Sequence, residues 1–386
     1  MVDLRWLRWI GPGIVALGAV GFIAATTLGA SAPPLTLRAC AGPPADRVAA
    51  ARDAAPPSPA DLRRMPWFRL DPLLDGDGAL RAERLAVGLN GETTARSLEL
   101  TAESFAAGPF GRVVLAGSDD GVTSRLRAID VASGCAWVVG EERSIIRRAT
   151  IDPTGAFIYE MRVERTSRAD LGIWRRPLDG LAPARRILAP IAADGRFGRT
   201  FSTEFTWDVG GDRLAVQSCG EVICRTRVVA LTGGPPMSLE APDVGQLIGL
   251  DGDRVVTYAA CRGLPCPIVS TNVRTGQRTV LAPAAGLAIV VPTADGSRLI
   301  HEVDAAGGQR LRAIALDGRA TVDLGPLPDG LRLHPSGVRA DAATRLPAGW
   351  ILLAPEGRIP ADPASDHPQL RHVTDGATVP LHEDLR

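Results

Sequence analysis

Turn glycines recur through this chain at intervals of 42 to 53 residues, and each lies between two short apolar strands. The strand before the glycine alternates apolar and polar residues, as a half-buried β-strand does. They are Gly91, Gly134, Gly180, Gly233, Gly276 and Gly318. One such unit is too small to bury an apolar face alone, so its repetition predicts units that stack on one another, as in a propeller or a solenoid.

A second series of turn glycines precedes the first by 22 to 25 residues, and a further strand follows each of them. This series comprises Gly111, Gly155, Gly211, Gly252 and Gly296. Two hairpins in this register make a four-stranded meander, which is the blade of a β-propeller. The apolar spacing of a helix is not found after the N-terminus. The sequence therefore predicts an all-β propeller with six or seven four-stranded blades.

The two ends of the repeat array are less regular than its middle. Strands at 350–353 and 370–373, followed by the turn Asp375-Gly376, predict a last blade with a long internal loop. At the front, segments 85–87 and 97–100 flank Gly91 without a clear upstream hairpin. Six full units and a reduced one result, so seven blades are favoured over six and the propeller domain is assigned to residues 68–386.

Several of these segments resemble the WD40-like propellers of the TolB type. Segments 171–180 and 228–235 are similar to the third-strand motif of that family, and 152–155 and 294–297 are similar to the turn between its first two strands. The resemblance covers roughly residues 80–386. It implies a propeller that binds partners, often outside the cytoplasm. TolB members also carry an α/β domain in front, for which residues 33–80 are too few.

The charge of the chain argues against a nucleic-acid partner. Its 386 residues include 43 acidic and 43 basic residues, so the formal net charge is zero, and every basic residue is an arginine. Proteins that bind nucleic acid usually carry a basic excess. The absence of lysine suggests a G+C-rich, bacterial genome.

The N-terminal region predicts a membrane segment. No charged residue stands between Trp9 and Leu37, and residues 10–32 are long enough to cross a bilayer about 30 Å thick. Arg5 and Arg8 precede this segment, which places residues 1–9 in the cytoplasm and the propeller outside. The small residues at 30–32 allow a cleaved signal peptide instead, in which case the protein is secreted. Residues 33–67 read as a Pro/Ala-rich linker.

Six cysteines predict disulfides in an oxidising compartment. Cys219 and Cys224 lie five residues apart, as do Cys261 and Cys266, so each pair can join the tip of its own hairpin. The remaining Cys40 and Cys135 could tie the linker to a repeat. A zinc site is the competing interpretation, but neither pair has the usual CxxC spacing, and no matching histidines accompany them.

The chain contains no pattern that predicts catalysis, and no catalytic, cofactor-binding or metal-binding residue is assigned. No Gly-x-Ser-x-Gly motif occurs. Segment 118–121 and the group Asp71, Asp75 and Asp77 are read as acidic turns rather than as sialidase-like or calcium loops. His301 and Glu302 should lie on opposite faces of a strand, with His301 a surface or packing residue. The tryptophans of the repeats, Trp137, Trp174, Trp207 and Trp350, are expected to pack between blades.

Two classes of function remain. The first is a membrane-tethered, monomeric head outside the cytoplasm that binds a protein, a peptide or a cell-envelope ligand without catalysis. Its loops at 164–170 and 192–203 are the expected contact sites, because loops on a rigid scaffold carry recognition. The alternative is an enzyme with a site in the central channel, such as a metal-assisted hydrolase or a lactonase. Three or more Asp, Glu or His side chains meeting there would favour the enzyme.

Overall fold

The described part of the chain forms 28 β-strands, numbered here in chain order. The computed structural model describes residues 37–43, 67–74, 80–88, 96–102, 104–107, 113–130, 133–152, 154–190, 202–208, 212–219, 224–240, 244–261, 263–306, 308–333, 349–355 and 369–380. The predicted membrane segment at 10–32 and most of the linker lie outside these ranges. Within them, no helix has the length and apolar character needed to span a bilayer.

The first two strand groups precede and begin the repeats. The short strand β1 (Arg38–Ala39) is followed by a three-stranded N-terminal sheet, which contains β2 (Trp67–Leu74), β3 (Leu80–Gly88) and β4 (Arg96–Ala102). Blade 1 contains β5 (Ser104–Ala107), β6 (Val113–Asp119), β7 (Ser124–Asp130) and β8 (Cys135–Glu142). Strand β1 extends blade 1 as a fifth strand.

Five further antiparallel meanders follow, each built from four consecutive strands. Blade 2 contains β9 (Ile145–Ile151), β10 (Phe157–Val163), β11 (Asp170–Pro177) and β12 (Arg185–Leu188). Blade 3 contains β13 (Ser202–Trp207), β14 (Arg213–Cys219), β15 (Cys224–Ala230) and β16 (Met237–Glu240). Blade 4 contains β17 (Val244–Asp251), β18 (Arg254–Ala259), β19 (Cys266–Asn272) and β20 (Arg278–Ala285). Blade 5 contains β21 (Ala288–Thr293), β22 (Gly296–Ala305), β23 (Gly308–Ala315) and β24 (Thr321–Pro326). Blade 6 contains β25 (Leu331–Leu333), β26 (Trp350–Pro355), β27 (Gln369–His372) and β28 (Thr378–Pro380).

The all-β prediction is confirmed, and the repeats are four-stranded sheets. The described residues hold six complete blades, which is consistent with a six-bladed propeller, rather than the seven that the sequence favoured. The N-terminal sheet is the reduced unit expected at the front, although it has an upstream strand, β2, that the sequence did not indicate. Asp71 was assigned to an acidic turn, and this was wrong, because it lies inside β2 opposite Arg84. Asp75 and Asp77 lie outside the described residues.

The apolar core is a series of layers between successive blades. Leu115 and Leu126 of blade 1 pack with Ile158 of blade 2, and Val256 of blade 4 packs with Leu299 of blade 5. Similar layers join blades 2 and 3, blades 3 and 4, and blades 5 and 6. Each sheet therefore depends on its neighbours to bury its faces.

The two ends of each blade differ. The turn face carries the glycine turns that the repeat predicted. Gly180 shows why glycine is required there: its φ is 73°, and a Cβ on it would lie 2.8 Å from the carbonyl oxygen of Val138 in blade 1. The loop face, at the opposite end, carries the tips between second and third strands, such as residues 120–123 in blade 1 and 164–169 in blade 2.

The six cysteines pair as Cys40–Cys135, Cys219–Cys224 and Cys261–Cys266, which is the pairing that the sequence favoured. The two local disulfides join hairpin tips on the loop faces of blades 3 and 4. The third holds β1, which runs parallel to the outer strand β8. Residues 37–40 had been assigned to the linker, so the linker contains an ordered segment there.

Candidate functional site

The loop face of blades 1 and 2 is held by an ion pair between them. The two guanidinium nitrogens of Arg165 donate to the carboxylate oxygens of Asp119 at 2.7 and 3.1 Å, and Arg165 Nε donates to the carbonyl of Arg143 at 3.1 Å. The bonds from Arg165 lower the pKa of Asp119 to about 2. The prediction of a loop at 118–121 is thus only partly confirmed, because Ser118 and Asp119 end β6 and only residues 120–121 lie in the tip. The carboxylate of Asp119 joins two blades.

The loop at 164–169, which the sequence singled out for recognition, is closed by its own hydrogen bonds. The amide of Glu164 donates to the carbonyl of Ala169 at 2.8 Å, and the amide of Arg168 donates to the carbonyl of Glu164 at 3.0 Å. The Glu164 carboxylate accepts from the Ser167 amide, which lowers the pKa of Glu164 to about 2. Arg168 adopts the left-handed conformation, with φ 61°. These bonds give the loop a defined shape.

Beneath these loops, two glutamates and two arginines form a buried cluster between blades 1 and 2. Arg162 Nη1 lies 2.7 Å from Glu142 Oε2, and its Nη2 lies 2.8 Å from Glu160 Oε2. Arg176 donates to Glu160 and, at 2.5 Å, to Glu142. The side chain of Glu160 is completely buried, and those of both arginines are at most 5% exposed. Each charge has opposite partners, as burial requires.

The surroundings of this cluster are shaped to hold the two arginines. A Cβ at Gly140 would lie 1.6 Å from Arg176 Nη1, so only glycine leaves room for the guanidinium. Arg176 Nη1 also donates to the carbonyl of Val139 at 3.0 Å. The guanidinium of Arg162 stacks 4.4 Å from the ring centre of Trp174. We interpret the cluster as the structural support of the loops above it.

A small pocket opens on the loop face between blades 2 and 3. Its cavity volume is about 10 Å³, and the rest of the depression is open to solvent. This is roughly the space that one water molecule needs, and it is far below the ~300–1,000 Å³ that is typical of sites for small molecules and cofactors. Its lining comprises Asp170, Gly172, Ile173, Leu188, Ala189, Val216, Ser218 and Arg227. The pocket is thus a shallow depression that is too small to enclose a side chain, and a partner can contact it only at its rim.

The shape of this pocket arises from an irregularity in blade 2. The register between β10 and β11 shifts at Val163, opposite Asp170. Asp170 Oδ1 accepts from the Gly172 amide at 2.6 Å. Gly172 has φ 86°, and a Cβ there would lie 2.1 Å from the carbonyl oxygen of Leu188. Asp170 is therefore positioned at the mouth by a backbone geometry that only glycine tolerates.

Polar and apolar groups share the pocket wall. Val216 and Ile173 are buried apolar residues, and Ser218 is 3% exposed. Arg227 Nη1 donates to the carbonyl of Ala189 at 2.5 Å, which orients the guanidinium. Burial lowers the pKa of Arg227, while the nearby Asp170 acts in the opposite direction. Apolar walls with a few fixed polar groups are the usual composition of a recognition pocket.

The alternative function, an enzyme, places its site in the central channel, where the first strands of the blades are expected to lie. These inner strands are β5, β9, β13, β17, β21 and β25. The described part of those strands carries Arg147, Arg148, Glu204 and Arg332 as its ionisable groups, with Asp251 at the end of β17. Arg148 lies 3.4 Å from Glu204. Across the described ranges, no group of three His, Cys, Asp or Glu side chains could hold a metal ion.

His301 and Glu302 lie in β22 and are both buried. His301 Nδ1 contacts the carbonyl of Glu302 at 3.0 Å, whereas its Nε2 has no hydrogen-bond partner, and burial lowers the pKa of His301. Glu302 accepts from Arg332 Nη2 at 2.6 Å and from the Leu333 amide at 2.7 Å, so it joins blades 5 and 6.

Trp137 and Trp207 pack between blades, as expected, whereas Trp174 and Trp350 contact residues of their own blades. Trp137 of blade 1 donates to the carbonyl of Leu178 in blade 2 at 2.8 Å. Trp207 of blade 3 meets Tyr159 of blade 2 edge to face, with ring centres 5.1 Å apart. Trp350 lies 5.1 Å from the ring of His372 within blade 6.

Comparisons with known proteins identify the fold and no family. No family model matches the sequence, and no curated protein matches it. A prolyl endopeptidase structure is similar over 87% of this chain and 52% of its own length, at 14% identity and a TM-score of 0.57. Oligopeptidase B from Trypanosoma brucei is similar over 88% of this chain and 51% of its own length, at 11% identity and a TM-score of 0.50.

TolB from Acinetobacter baumannii also matches, over 63% of this chain and 59% of its own length, at 13% identity and a TM-score of 0.39. The chain thus spans 51 to 59% of the length of these three structures. At such identities the likeness concerns the fold alone. The chain is a β-propeller that resembles TolB-type and other propeller proteins in architecture.

The sequence did not indicate the buried cluster or the pocket. Glu142, Glu160, Arg162 and Arg176 occupy strand positions that look solvent-exposed, and their partners come from strands of two different repeats. Arg227 stands between Thr226 and Val228 in an ordinary alternating strand. A signal for the cluster does exist, because Gly140 interrupts β8 where a β-branched residue would suit a strand better.

Proposed function

We propose that this protein is a membrane-tethered propeller outside the cytoplasm, and that it is a non-catalytic binding module for a protein, peptide or cell-envelope ligand. Its contact surface is the loop face of blades 2 and 3. The pocket between these blades, with Asp170, Ser218 and Arg227 around apolar walls, is the observation that carries the proposal. Its small volume does not suit an enclosed cofactor or small substrate, so in this proposal the partner lies across the rim of the depression.

The pocket lining carries charges of both signs, since Asp170 and Arg227 both belong to it. Burial lowers the pKa of Arg227, Asp170 acts in the opposite direction, and Arg225 adds a smaller decrease. In this proposal the pair Asp170 and Arg227 supplies polar contacts for a partner segment with complementary charges.

The disulfides support a location outside the cytoplasm. All six cysteines are paired, and two of the bonds hold hairpin tips on the loop face. Disulfides persist in oxidising compartments and are rare in the cytosol. Residues 10–32 supply the tether in this proposal, because their apolar length suits a bilayer.

The binding proposal is tested by filling the pocket without disturbing the core. Ala189 is exposed at the pocket rim, so Ala189→Trp should block the pocket, whereas Ala294→Trp places the same ring on an exposed turn of blade 5. Both full-length variants would be photo-crosslinked in native membranes, since amine reagents find no lysine. We expect Ala189→Trp to capture at least roughly tenfold less partner than the wild type does. Equal capture by the two variants would refute the assignment of the pocket.

A further inference from the structure

Strand β1 determines where the chain enters the propeller. The amide of Arg38 donates to the carbonyl of Gly134 at 3.0 Å, and Arg38 lies beside Cys135 in a parallel pair. The Cys40–Cys135 disulfide fixes this arrangement. Since β8 runs from the turn face at Cys135 to the loop face at Glu142, the chain before residue 37 leaves at the turn face.

The chain between the predicted membrane segment and the propeller is short. Only residues 33–36 separate the predicted membrane segment from Leu37. Fully extended, the five Cα–Cα steps from Ala32 to Leu37 span at most about 18 Å. The loop face lies about 24 Å further along β8. If residues 10–32 span the bilayer, the turn face of blade 1 must be close to the membrane surface.

The turn of blade 2 lies directly beside this attachment point. A Cβ on Gly42, just after the disulfide, would be 4.0 Å from the carbonyl oxygen of Asp179, and Trp137 of β8 bonds to Leu178. Beyond this turn, Leu181 is 81% exposed. Single exposed apolar side chains are common on protein surfaces, but beside the attachment point a leucine suits the boundary between headgroups and acyl chains.

Exposed basic side chains lie at the same end of blades 1 and 2 as that leucine. Arg38, Arg185 and Arg186 are exposed and lie at the turn-face ends of β1 and β12, whereas Asp179 is the nearby acid. Arginines next to an anionic bilayer are attracted to its negative surface potential. An exposed leucine among arginines is the composition of an interfacial membrane contact.

We propose that the turn face of blades 1 and 2, centred on Leu181 with Arg38, Arg185 and Arg186, rests on anionic phospholipid headgroups. This inference rests on the proposed tether. It orients the molecule: the loop face, with the pocket between blades 2 and 3, points away from the membrane toward soluble partners.

The orientation can be measured with two matched probe positions. The full-length protein would be placed in nanodiscs that contain about 30% phosphatidylglycerol in phosphatidylcholine. A coumarin amino acid would replace either Leu181 or Val122, which is 71% exposed on the loop face of blade 1. A spin label on the lipid headgroup should quench the coumarin at 181 at least roughly twofold more than the one at 122.

Three results decide the proposal. Arg185→Gln/Arg186→Gln should lose roughly half of the quenching at 181, while Arg310→Gln/Arg319→Gln in blade 5 should keep it. Equal or stronger quenching at 122, with the protein retained in the discs, would overturn this contact and leave the tether intact. Failure of the protein to remain with the discs would overturn the tether, and this contact with it.

Discussion

At the scale of single residues, the cluster of Glu142, Glu160, Arg162 and Arg176 places four charges between two sheets. Burying a charge is costly unless it is paired, so removing one member leaves uncompensated charge in the interior. Burial alone would lower the pKa of Arg176, but Glu160 and Glu142 outweigh it, and the pKa lies above its ordinary value. The cluster therefore behaves as one unit.

We expect Glu160→Gln to lower the free energy of unfolding by about 3 to 5 kcal/mol, because both arginines lose a buried counter-charge. The matched control is Glu141→Gln, whose exposed pair with Arg125 should be worth about 1 kcal/mol or less. Urea denaturation of both variants measures the difference. Similar losses would show that the cluster is not buried as a unit.

Asp208 at the end of β13 gives a pH dependence of defined sign. Burial raises its pKa to about 6, and the Gly252 amide, 2.7 Å from Oδ1, acts in the opposite direction. The unfolded value is near 3.8, so the folded chain holds a proton between about pH 4 and 6 that the unfolded chain has released. This contribution to stability is complete below pH 3.8 and disappears as the pH rises through 6.

Asp208→Asn should therefore raise the free energy of unfolding at pH 7.5 by about 1 to 3 kcal/mol, because an amide needs no proton there. The control is Asp295→Asn on the corresponding turn of blade 5. Its hydrogen bond with Arg298 lowers the pKa of Asp295 to about 2, so its contribution has the opposite sign and is lost as the pH falls. Denaturation of both variants from pH 4 to 8 measures how each substitution changes the free energy of unfolding. Changes in the same direction for both variants would contradict this prediction.

At the scale of elements, the disulfides differ in the length of chain that they close. Cys40–Cys135 spans a sequence separation of 95 residues, whereas Cys219–Cys224 spans 5. A longer closed loop removes more entropy from the unfolded chain. The long disulfide also holds β1 on β8, so it contributes to both stability and attachment.

Replacing both Cys40 and Cys135 by serine should cost about 4 to 5 kcal/mol of stability, and replacing Cys219 and Cys224 should cost about 2 kcal/mol. Thermal unfolding of the two double variants is the measurement. A larger loss from the short disulfide would mean that native packing at the blade 3 hairpin, rather than loop closure, sets its contribution.

Strand prediction succeeded where the glycine turns mark a hairpin and failed where they are missing. Blades 1 to 5 follow the two series of glycines closely. Strand β2 was missed because Asp71 and Pro72 look like turn residues. Strand β1 was missed because two residues in a Pro/Ala-rich segment carry no strand pattern, and only the disulfide and the open edge of β8 place them there. The cluster and the pocket depend on contacts between repeats, which periodicity does not specify.

At the scale of the whole molecule, the layered core predicts that a core substitution destabilises the two blades on either side of its layer before it destabilises the others. Leu299 is completely buried between blades 4 and 5. Its replacement by alanine should lower the free energy of unfolding by about 2 to 5 kcal/mol. Hydrogen exchange in Leu299→Ala should then rise in blades 4 and 5 before blades 1 and 2. Ile158→Ala, in the layer of blades 1 and 2, should give the reverse order. Uniform acceleration in both variants would indicate a single cooperative unit.

The parallel strand on β8 has a consequence for the handling of this protein. It pairs with the first two residues of β8 at the rim of blade 1, whereas Pro283 in β20 and Pro326 in β24 remove backbone donors from two other rims. A shortened chain that began after residue 43 would leave β8 bare and Cys135 without its partner. Such a fragment would be prone to self-association and to disulfide-linked dimers, and its solubility would misrepresent the intact molecule.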